Sequence, residues 1–156
     1  MALRNIVTEG DSVLLKNCRP VEKFDARLHE LIDDMAETMA KANGVGLAAP
    51  QVGVLRRVVV IDVGEGVIEL VNPVIIESSG EQQAVEGCLS IPGEYGITVR
   101  PQKVKVKAQD RNGKDFEIEG EDLLARAFCH ELDHLDGILF KTKAVRMLSA
   151  DELEEE

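Results

Sequence analysis

Residues 128–137 contain the pattern His-Glu-x-x-His, in which His130 and His134 stand four positions apart. On an α-helix, side chains at this spacing differ in direction by only about 40°, so both imidazoles face the same way, one turn apart. Two imidazoles so placed can bind one metal ion, with Glu131 beside it.

Apolar residues surround this histidine pair almost completely, at Leu123, Leu124, Ala127, Phe128, Leu132 and Leu135. Such a pattern is typical of a buried helix and disfavours the alternative, an amphipathic helix with two solvated histidines. Because a buried imidazole pair without a partner would be costly, the pattern favours a metal site.

A catalytic metal site normally has three protein ligands and one open position for water, so a third ligand is needed. Cys88 is the best candidate, because it follows Gly87 in what we interpret as a polar turn between strands, where a thiolate can be presented. Cys18 and Cys129 fit better as small buried hydrophobic residues, and Cys129 lies about 100° round the helix from His130. We therefore predict a site formed by Cys88 and the two histidines.

Small residues dominate the stretch 44–53, Gly-Val-Gly-Leu-Ala-Ala-Pro-Gln-Val-Gly. It is not a phosphate-binding loop, because it lacks the following Lys-Ser/Thr pair and the dinucleotide-binding spacing. Two interpretations remain open from these residues alone. Either a ligand approaches the backbone closely, or the stretch is a tightly packed turn into a strand.

The elements that must position these residues can be read from periodicity. Apolar residues at helical spacing predict a helix over 24–42, with Asp25 as its N-cap and Asn43-Gly44 as its end. Strands are predicted over 57–62, 67–77 (with a break at Asn72-Pro73), 97–100, 103–108 and 115–119.

The connections complete the predicted architecture. Asn112-Gly113 indicates a hairpin, and Gly137 is expected to end the histidine-bearing helix. Residues 1–22 are expected to form an extended arm or a short turn, and 138–147 show no assignable pattern. Few helices alternate with these strands, which predicts an α+β fold with mainly antiparallel sheets packed around a buried central metal-binding helix.

The chain has 156 residues, which predicts one domain over 1–156. The acidic run at 149–156 is expected to be a frayed, solvated end. A formal net charge of −11 argues against generic binding to nucleic acid or anionic lipid. Three cysteines do not suggest a disulfide framework, which favours a reducing cytosol, and the sequence shows neither a membrane span nor a secretory signal.

Three motifs together resemble those of the peptide deformylases. Residues 44–51 are similar to G-x-G-L-A-A-x-Q, residues 86–90 to E-G-C-L-S, and residues 130–137 to H-E-x-D-H-x-x-G, in the family's order. The arm, the first helix and the hairpin also occur where the family has them. The resemblance therefore covers nearly the whole chain.

The resemblance implies a metal-dependent hydrolase that removes the formyl group from the N-terminal formylmethionine of new bacterial polypeptides and releases formate. It implies one divalent metal ion per chain, Fe²⁺ in the cell, with Zn²⁺ or Ni²⁺ as alternatives in purified protein. Glu131 would take a proton from the attacking water and pass it to the leaving nitrogen. The side-chain amide of Gln51 and the backbone N–H of Leu89 would stabilise the oxyanion.

The resemblance also implies a groove in which the peptide adds as an extra strand. Its residues are expected to be Gly44, Val45, Gly46, Gly87, Leu123 and Ala127. The methionine side chain is expected to enter an apolar pocket near Leu123, Ala127 and Val45. By a weaker resemblance, Glu86 pairs with Arg100 and steadies the loop of Cys88.

The expected partners are nascent N-formylmethionyl peptides in the bacterial cytoplasm, near the ribosome, with no membrane and no direct nucleic-acid partner. Two features depart from the family pattern. Some members carry a longer C-terminal helix associated with the ribosome, whereas this tail is short and acidic, which disfavours docking. Tyr95 lies near a position where other members carry Arg close to the substrate, which leaves the preference beyond the first residue open.

Two other classes of function are compatible with parts of the pattern. A zincin-like metallopeptidase shares His-Glu-x-x-His but usually takes its third ligand downstream, where Asp136 is the close candidate. That side chain is expected to point away from the histidines. A metal-dependent binding module without activity is the other class, although every residue that the chemistry needs is present.

Overall fold

The structure is a computed structural model that describes residues 2–154. In this range the chain forms three α-helices, Ala26–Lys41 (α1), Asp122–Leu135 (α2) and Ala150–Glu154 (α3). It also forms eight strands: Gly46–Ala48 (β1), Val58–Ile61 (β2), Ile68–Ser79 (β3), Gln82–Cys88 (β4), Ile91–Arg100 (β5), Lys103–Gln109 (β6), Asp115–Glu121 (β7) and Ala144–Met147 (β8). Short 3₁₀ helices span Ser12–Leu15, Ala49–Val52 and Phe140–Thr142.

The strands of residues 2–154 form two sheets in which every pair of neighbouring strands is antiparallel. One sheet has five strands in the order β1-β2-β3-β6-β7, and the other has three in the order β4-β5-β8. Strands β1 and β4 are therefore edge strands, one in each sheet. The predicted α+β class with mainly antiparallel sheets is confirmed.

Strand β2 contributes apolar side chains to both faces of the five-stranded sheet, and a helix packs on each face. All four of its residues are fully buried. Val59 and Ile61 pack in one apolar cluster with Phe128 of α2, whereas Val58 and Val60 pack in a second cluster with α1. Because successive side chains of a strand point to opposite faces, one short Val/Ile run supplies both cores.

Helix α1 agrees with the predicted helix over 24–42 to within two residues at each end. The Asp25 carboxylate accepts a hydrogen bond from the Leu28 N–H, as expected of an N-cap. Asn43, just past the C-terminus, has a φ of 57°, a conformation that Asn tolerates better than most residues.

Helix α2 is the predicted central helix, and it ends where the sequence indicated. Gly137 has a φ of 74°, and a Cβ at this position would lie 2.6 Å from the backbone carbonyl of Leu15. Both the conformation and the close contact require glycine, so this residue lets the chain leave α2 beside the N-terminal arm.

Two local predictions are wrong. Asn72-Pro73 does not break a strand, because β3 runs continuously from Ile68 to Ser79 with a register shift between Val71 and Val74. The Asn72 side chain exchanges hydrogen bonds with the backbone N–H and carbonyl of Val21 and so supports a φ of 52°. Cys88 is not part of a polar turn between strands but is the last residue of β4.

The chain termini contain more structure than was assigned from sequence. Helix α3 covers part of the predicted frayed segment 149–156, and the Ser149 hydroxyl accepts a hydrogen bond from the Glu152 N–H. Residues 155 and 156 lie outside the described residues. Within the described chain, no helix is both long and apolar enough to cross a membrane.

Candidate metal centre

The end of β4 meets one face of α2 at three side chains that can bind metal. Cys88 Sγ and one ring nitrogen each of His130 and His134 all lie within 4.8 Å of one another. Cys88 Sγ is 3.3 Å from His134 Nε2, and the two imidazole centroids are 5.0 Å apart. A thiolate and two imidazoles converging in this way fit a divalent transition metal, and three protein ligands leave a coordination position open.

A carboxylate fixes the orientation of His130. His130 Nδ1 lies 2.7 Å from Glu86 Oε2, so Nδ1 donates to this carboxylate and Nε2 is left to bind a metal. Burial alone would raise the pKa of Glu86, but hydrogen bonds from His130 and Arg100 outweigh that effect and hold the pKa well below its usual range. The residue behind the ring is therefore a carboxylate anion.

The two histidines differ in charge when no metal is bound. Burial lowers the pKa of His134 to about 3, so this ring is neutral at pH 7, which is the form that binds metal. Burial also acts to lower the pKa of His130, but the Glu131 carboxylate and contacts with Cys88 and Glu86 raise it well above its ordinary value. Metal binding at His130 would thus release a proton.

Glu131 lies beside the candidate ligands and is almost completely buried. The residue is 4% exposed, and its Oε1 has no hydrogen-bond partner among residues 2–154. Burial raises the pKa of Glu131 to about 7, which suits a group that accepts and returns a proton near neutral pH. A Cβ on Gly46 would collide with this carboxylate, so glycine there makes room for it.

Gln51 is a buried, oriented amide. It is 1% exposed and belongs to the 3₁₀ helix that follows β1. Its Oε1 accepts a hydrogen bond from the Ala48 N–H at 2.9 Å, which turns Nε2 towards Ser90 Oγ at 3.0 Å and Cys88 Sγ at 3.5 Å. The amide therefore presents a donor beside the sulfur.

A groove with a volume of about 450 Å³ opens over this centre. Every residue predicted for substrate binding lines it: Gly44, Val45, Gly46, Gly87, Leu123 and Ala127. Leu89 lines it too, and a Cβ on Gly44 would lie 2.6 Å from the Leu89 side chain. Close approach of a protein side chain thus favours glycine at Gly44, as it does at Gly46, so tight packing within the chain accounts for small residues here, and approach of a ligand to this backbone stays a prediction.

Sequence reasoning missed part of the charge network behind His130. Arg100 donates to Glu86 at 2.6 and 3.2 Å, as predicted, and also to Asp133 at 2.8 Å. Arg126 and Thr98, both buried, donate to Glu86 as well, at 3.0 and 2.9 Å. A single arginine in the otherwise apolar stretch 123–129, four residues before a predicted metal ligand, was the signal that could have identified Arg126.

Asp136, the third ligand that a zincin-like site would need, forms an ion pair with Arg57. Asp136 Oδ1 lies 3.0 Å from Arg57 Nη2, with which it forms an ion pair on the protein surface. The carboxylate that a zincin-like site would need is thus engaged elsewhere, whereas Cys88 is within contact distance of His134.

A family model, a related sequence and two solved structures that match this chain all belong to one family. The family model for polypeptide deformylase matches residues 3–149. Peptide deformylase from Caldicellulosiruptor bescii is 61% identical over 99% of this chain and 93% of its own length. The crystal structure of peptide deformylase from Thermotoga maritima superposes with a TM-score of 0.89 at 44% identity, covering 91% of this chain and 97% of that one. Peptide deformylase from Ehrlichia chaffeensis in complex with actinonin gives a TM-score of 0.90 at 38% identity, with 99% and 94% coverage.

Proposed function

The chain belongs to the polypeptide deformylase family, and we propose that Cys88, His130 and His134 hold its catalytic metal. The protein is a metal-dependent hydrolase that removes the formyl group from the N-terminal methionine of new polypeptides. The observation that supports this ligand set is the convergence of one sulfur and two ring nitrogens within 4.8 Å beside the groove, which Cys88 and His130 line.

The metal that we propose for the cell is Fe²⁺, with Zn²⁺ or Ni²⁺ as replacements in purified protein. When bound, a divalent ion lowers the pKa of a water and polarises the formyl oxygen. Thiolate and imidazole suit all three ions, and affinity alone would favour zinc over iron. Family membership supports iron, and activity after loading with each ion under anaerobic conditions is the test.

Glu131 is the proposed general base. It takes the proton of the attacking water and then delivers a proton to the leaving nitrogen, so that formate and a free amine result. Support comes from its buried Oε1, which has no partner among residues 2–154, and from the space that Gly46 leaves beside it. A buried carboxylate oxygen without a protein partner is suited to a water or a substrate atom.

The oxyanion that forms at the formyl carbon would be stabilised by the Gln51 amide and the Leu89 backbone N–H. The Gln51 donor is already oriented by the Ala48 N–H, so little reorganisation is needed when charge develops. Its contact with Cys88 Sγ, at 3.5 Å, uses a weak acceptor and can be exchanged for a better one. Leu89 follows Cys88 directly, which keeps its N–H near the sulfur.

The substrate would lie between the two edge strands as an added strand. Gly44, Val45 and Gly46 line one side of the groove beside the β1 edge, and Gly87 lines the other within β4. Edge strands offer unpaired backbone groups to an extended peptide. The methionine side chain would enter the apolar pocket that Leu123 and Ala127 line on α2.

Several wider features belong to the same proposal. The chain would act as a single catalytic domain on nascent N-formyl peptides in the cytoplasm, close to the ribosome. The acidic tail disfavours firm docking there, and the net charge of −11 disfavours direct contact with RNA.

Formate release tests the proposed function. The full chain, loaded with Fe²⁺ without oxygen, should release formate from a formyl-Met-Ala-Ser peptide and lose this activity when a chelator removes the metal. A formyl-Gly peptide should react more slowly, because it leaves the apolar pocket empty. Absence of formate, or cleavage at an internal peptide bond instead, would overturn the proposal.

A further inference from the structure

Arg126 is a buried cation on the wall of the substrate groove. Its side chain is only 8% exposed, although it lines the same groove as Leu123 and Ala127. It precedes His130 by four residues, so both side chains lie on one face of α2. An arginine in this place is unexpected beside a pocket for an apolar side chain, since burying a guanidinium is costly unless its donors are all engaged.

The polar end of Arg126 is held by the charge network behind His130. Nη1 donates to Glu86 Oε1 at 3.0 Å and to Thr98 Oγ1 at 2.8 Å, and Nη2 donates to Gln82 Oε1 at 3.3 Å. Nη1 also lies 3.4 Å from the Ala84 carbonyl. Because both terminal nitrogens, Nη1 and Nη2, donate to groups of β4 and β5, the methylene stem is the part expected to face the groove.

Arg126 is connected through one residue, Glu86, to His130, a proposed metal ligand. Glu86 receives Arg126 at Oε1 and holds His130 Nδ1 at Oε2, 2.7 Å away. Thr98 forms a parallel route, since its hydroxyl accepts from Arg126 and donates to Glu86 at 2.9 Å. Arg126 therefore restrains the carboxylate that orients the His130 ring.

We propose that Arg126 has two functions: its stem forms a wall of the pocket for the substrate's first side chain, and its guanidinium is a positioning group for the metal ligand His130. The residue that contacts the substrate side chain thus also fixes the metal site. This inference rests on the proposed function and adds a determinant of substrate preference and of metal retention.

Three variants of the full chain separate these two functions. Arg126→Met keeps an apolar stem but removes the guanidinium, whereas Arg126→Ala removes both. Arg100→Met is the matched control, because Arg100 also binds Glu86 but is not among the groove residues. Two quantities are measured: the rate at which EDTA removes Zn²⁺ from the loaded protein, and the ratio of kcat/KM for formyl-Met over formyl-Ala peptides.

All three variants should lose Zn²⁺ to EDTA about 10–100-fold faster than the wild-type chain, since loss of a residue that orients a ligand has effects of this size. The formyl-Met preference should fall about tenfold or more in Arg126→Ala and stay near the wild-type ratio in Arg126→Met and Arg100→Met. If Arg126→Ala does not fold, Arg126→Val is the alternative, because it also removes the stem beyond Cγ.

Wild-type metal retention in Arg126→Met would refute the positioning role, and an unchanged formyl-Met preference in Arg126→Ala would refute the role of the stem. Failure of the proposed function itself is distinguishable, because the wild-type chain would then release no formate from either peptide.

Discussion

Charged side chains meet in two contrasting regions of this molecule, one buried behind His130 and one exposed on the β6–β7 hairpin. In the buried region, Glu86 and Arg100 have side chains that are each 4% exposed. On the hairpin, Lys103 pairs with Glu119 at 2.9 Å, with both side chains close to half exposed. The ion pairs are similar in length but differ in their surroundings.

This difference in burial determines how much stability is lost when one partner of an ion pair is removed. Water and salt screen the exposed pairs, so removing one partner leaves a solvated ion that loses little. In the buried region, removal of one partner strands a charge in a medium that cannot solvate it, which typically costs 3–5 kcal/mol. Perturbing the buried network is therefore expected to cost much stability, and the network contacts His130, a proposed metal ligand.

The largest effect is expected at Glu131, a buried carboxylate of the same region that has no ion-pair partner shorter than 3.9 Å among residues 2–154. Glu131→Ala should retain metal but lose about 10²–10⁴ in kcat, as expected when a general base is removed. Steady-state formate release and metal analysis measure the two quantities. Glu119→Ala on the hairpin is the matched control and should turn over normally. Near-normal turnover in Glu131→Ala would remove this residue from the mechanism.

Substitution of Glu86 tests whether the buried ion pairs matter more for stability than the exposed ones. Glu86→Ala should lower the free energy of unfolding of the metal-free chain by about 3–5 kcal/mol, because Arg126 then lies buried without its anion and Arg100 keeps only Asp133. Urea denaturation of the variant and of Glu119→Ala measures the contrast. A loss at Glu86 no larger than the loss at Glu119 would show that burial does not distinguish the two regions.

Gln51 tests whether a neutral buried group of the same region matters as much as a charged one. Gln51→Ala should lower kcat by about 10²–10³, because a pre-oriented oxyanion donor is lost. Its KM should change little. An effect confined to KM would indicate that the amide binds substrate without stabilising the transition state.

These buried polar residues also explain where sequence reasoning failed. Regular apolar spacing was sufficient to predict α1, α2 and β2, because the inward-facing residues of these elements are largely apolar. Strand β4 reads Gln-Gln-Ala-Val-Glu-Gly-Cys, and its buried residue is Glu86. A strand whose inward group is a carboxylate shows no hydrophobic alternation, so Cys88 was assigned to a turn.

For the same reason, some residues of the site were predicted from the sequence and others were missed. Spacing on one helix and three local motifs identified the proposed ligands Cys88, His130 and His134, which the structure brings together. Arg126 and Ser90 were missed, because their roles depend on partners more than 25 residues away, such as Gln51 for Ser90. Pairings of this kind are set by the tertiary fold and leave no local pattern in the chain.

The smallest effect is expected on the hairpin. Lys105 Nζ lies 3.4 Å from Glu117 and 3.5 Å from Glu77, and both carboxylates are half exposed or more. Lys105→Ala should lower the melting temperature less than Glu86→Ala does, and the difference from the wild-type chain should vanish near 1 M salt, where the screening length is about 3 Å. A salt-independent loss would show that packing, and not charge, is what this lysine contributes.

Metal ligation by Cys88 is the central claim, and X-ray absorption spectroscopy of the metal-loaded chain, with metal analysis of Cys88→Ser, tests it most directly. We predict one metal ion per chain, coordinated by one sulfur and two imidazole nitrogens, and a marked loss of metal in Cys88→Ser. A spectrum without sulfur, or full metal occupancy with an unchanged spectrum in Cys88→Ser, would contradict the proposed site.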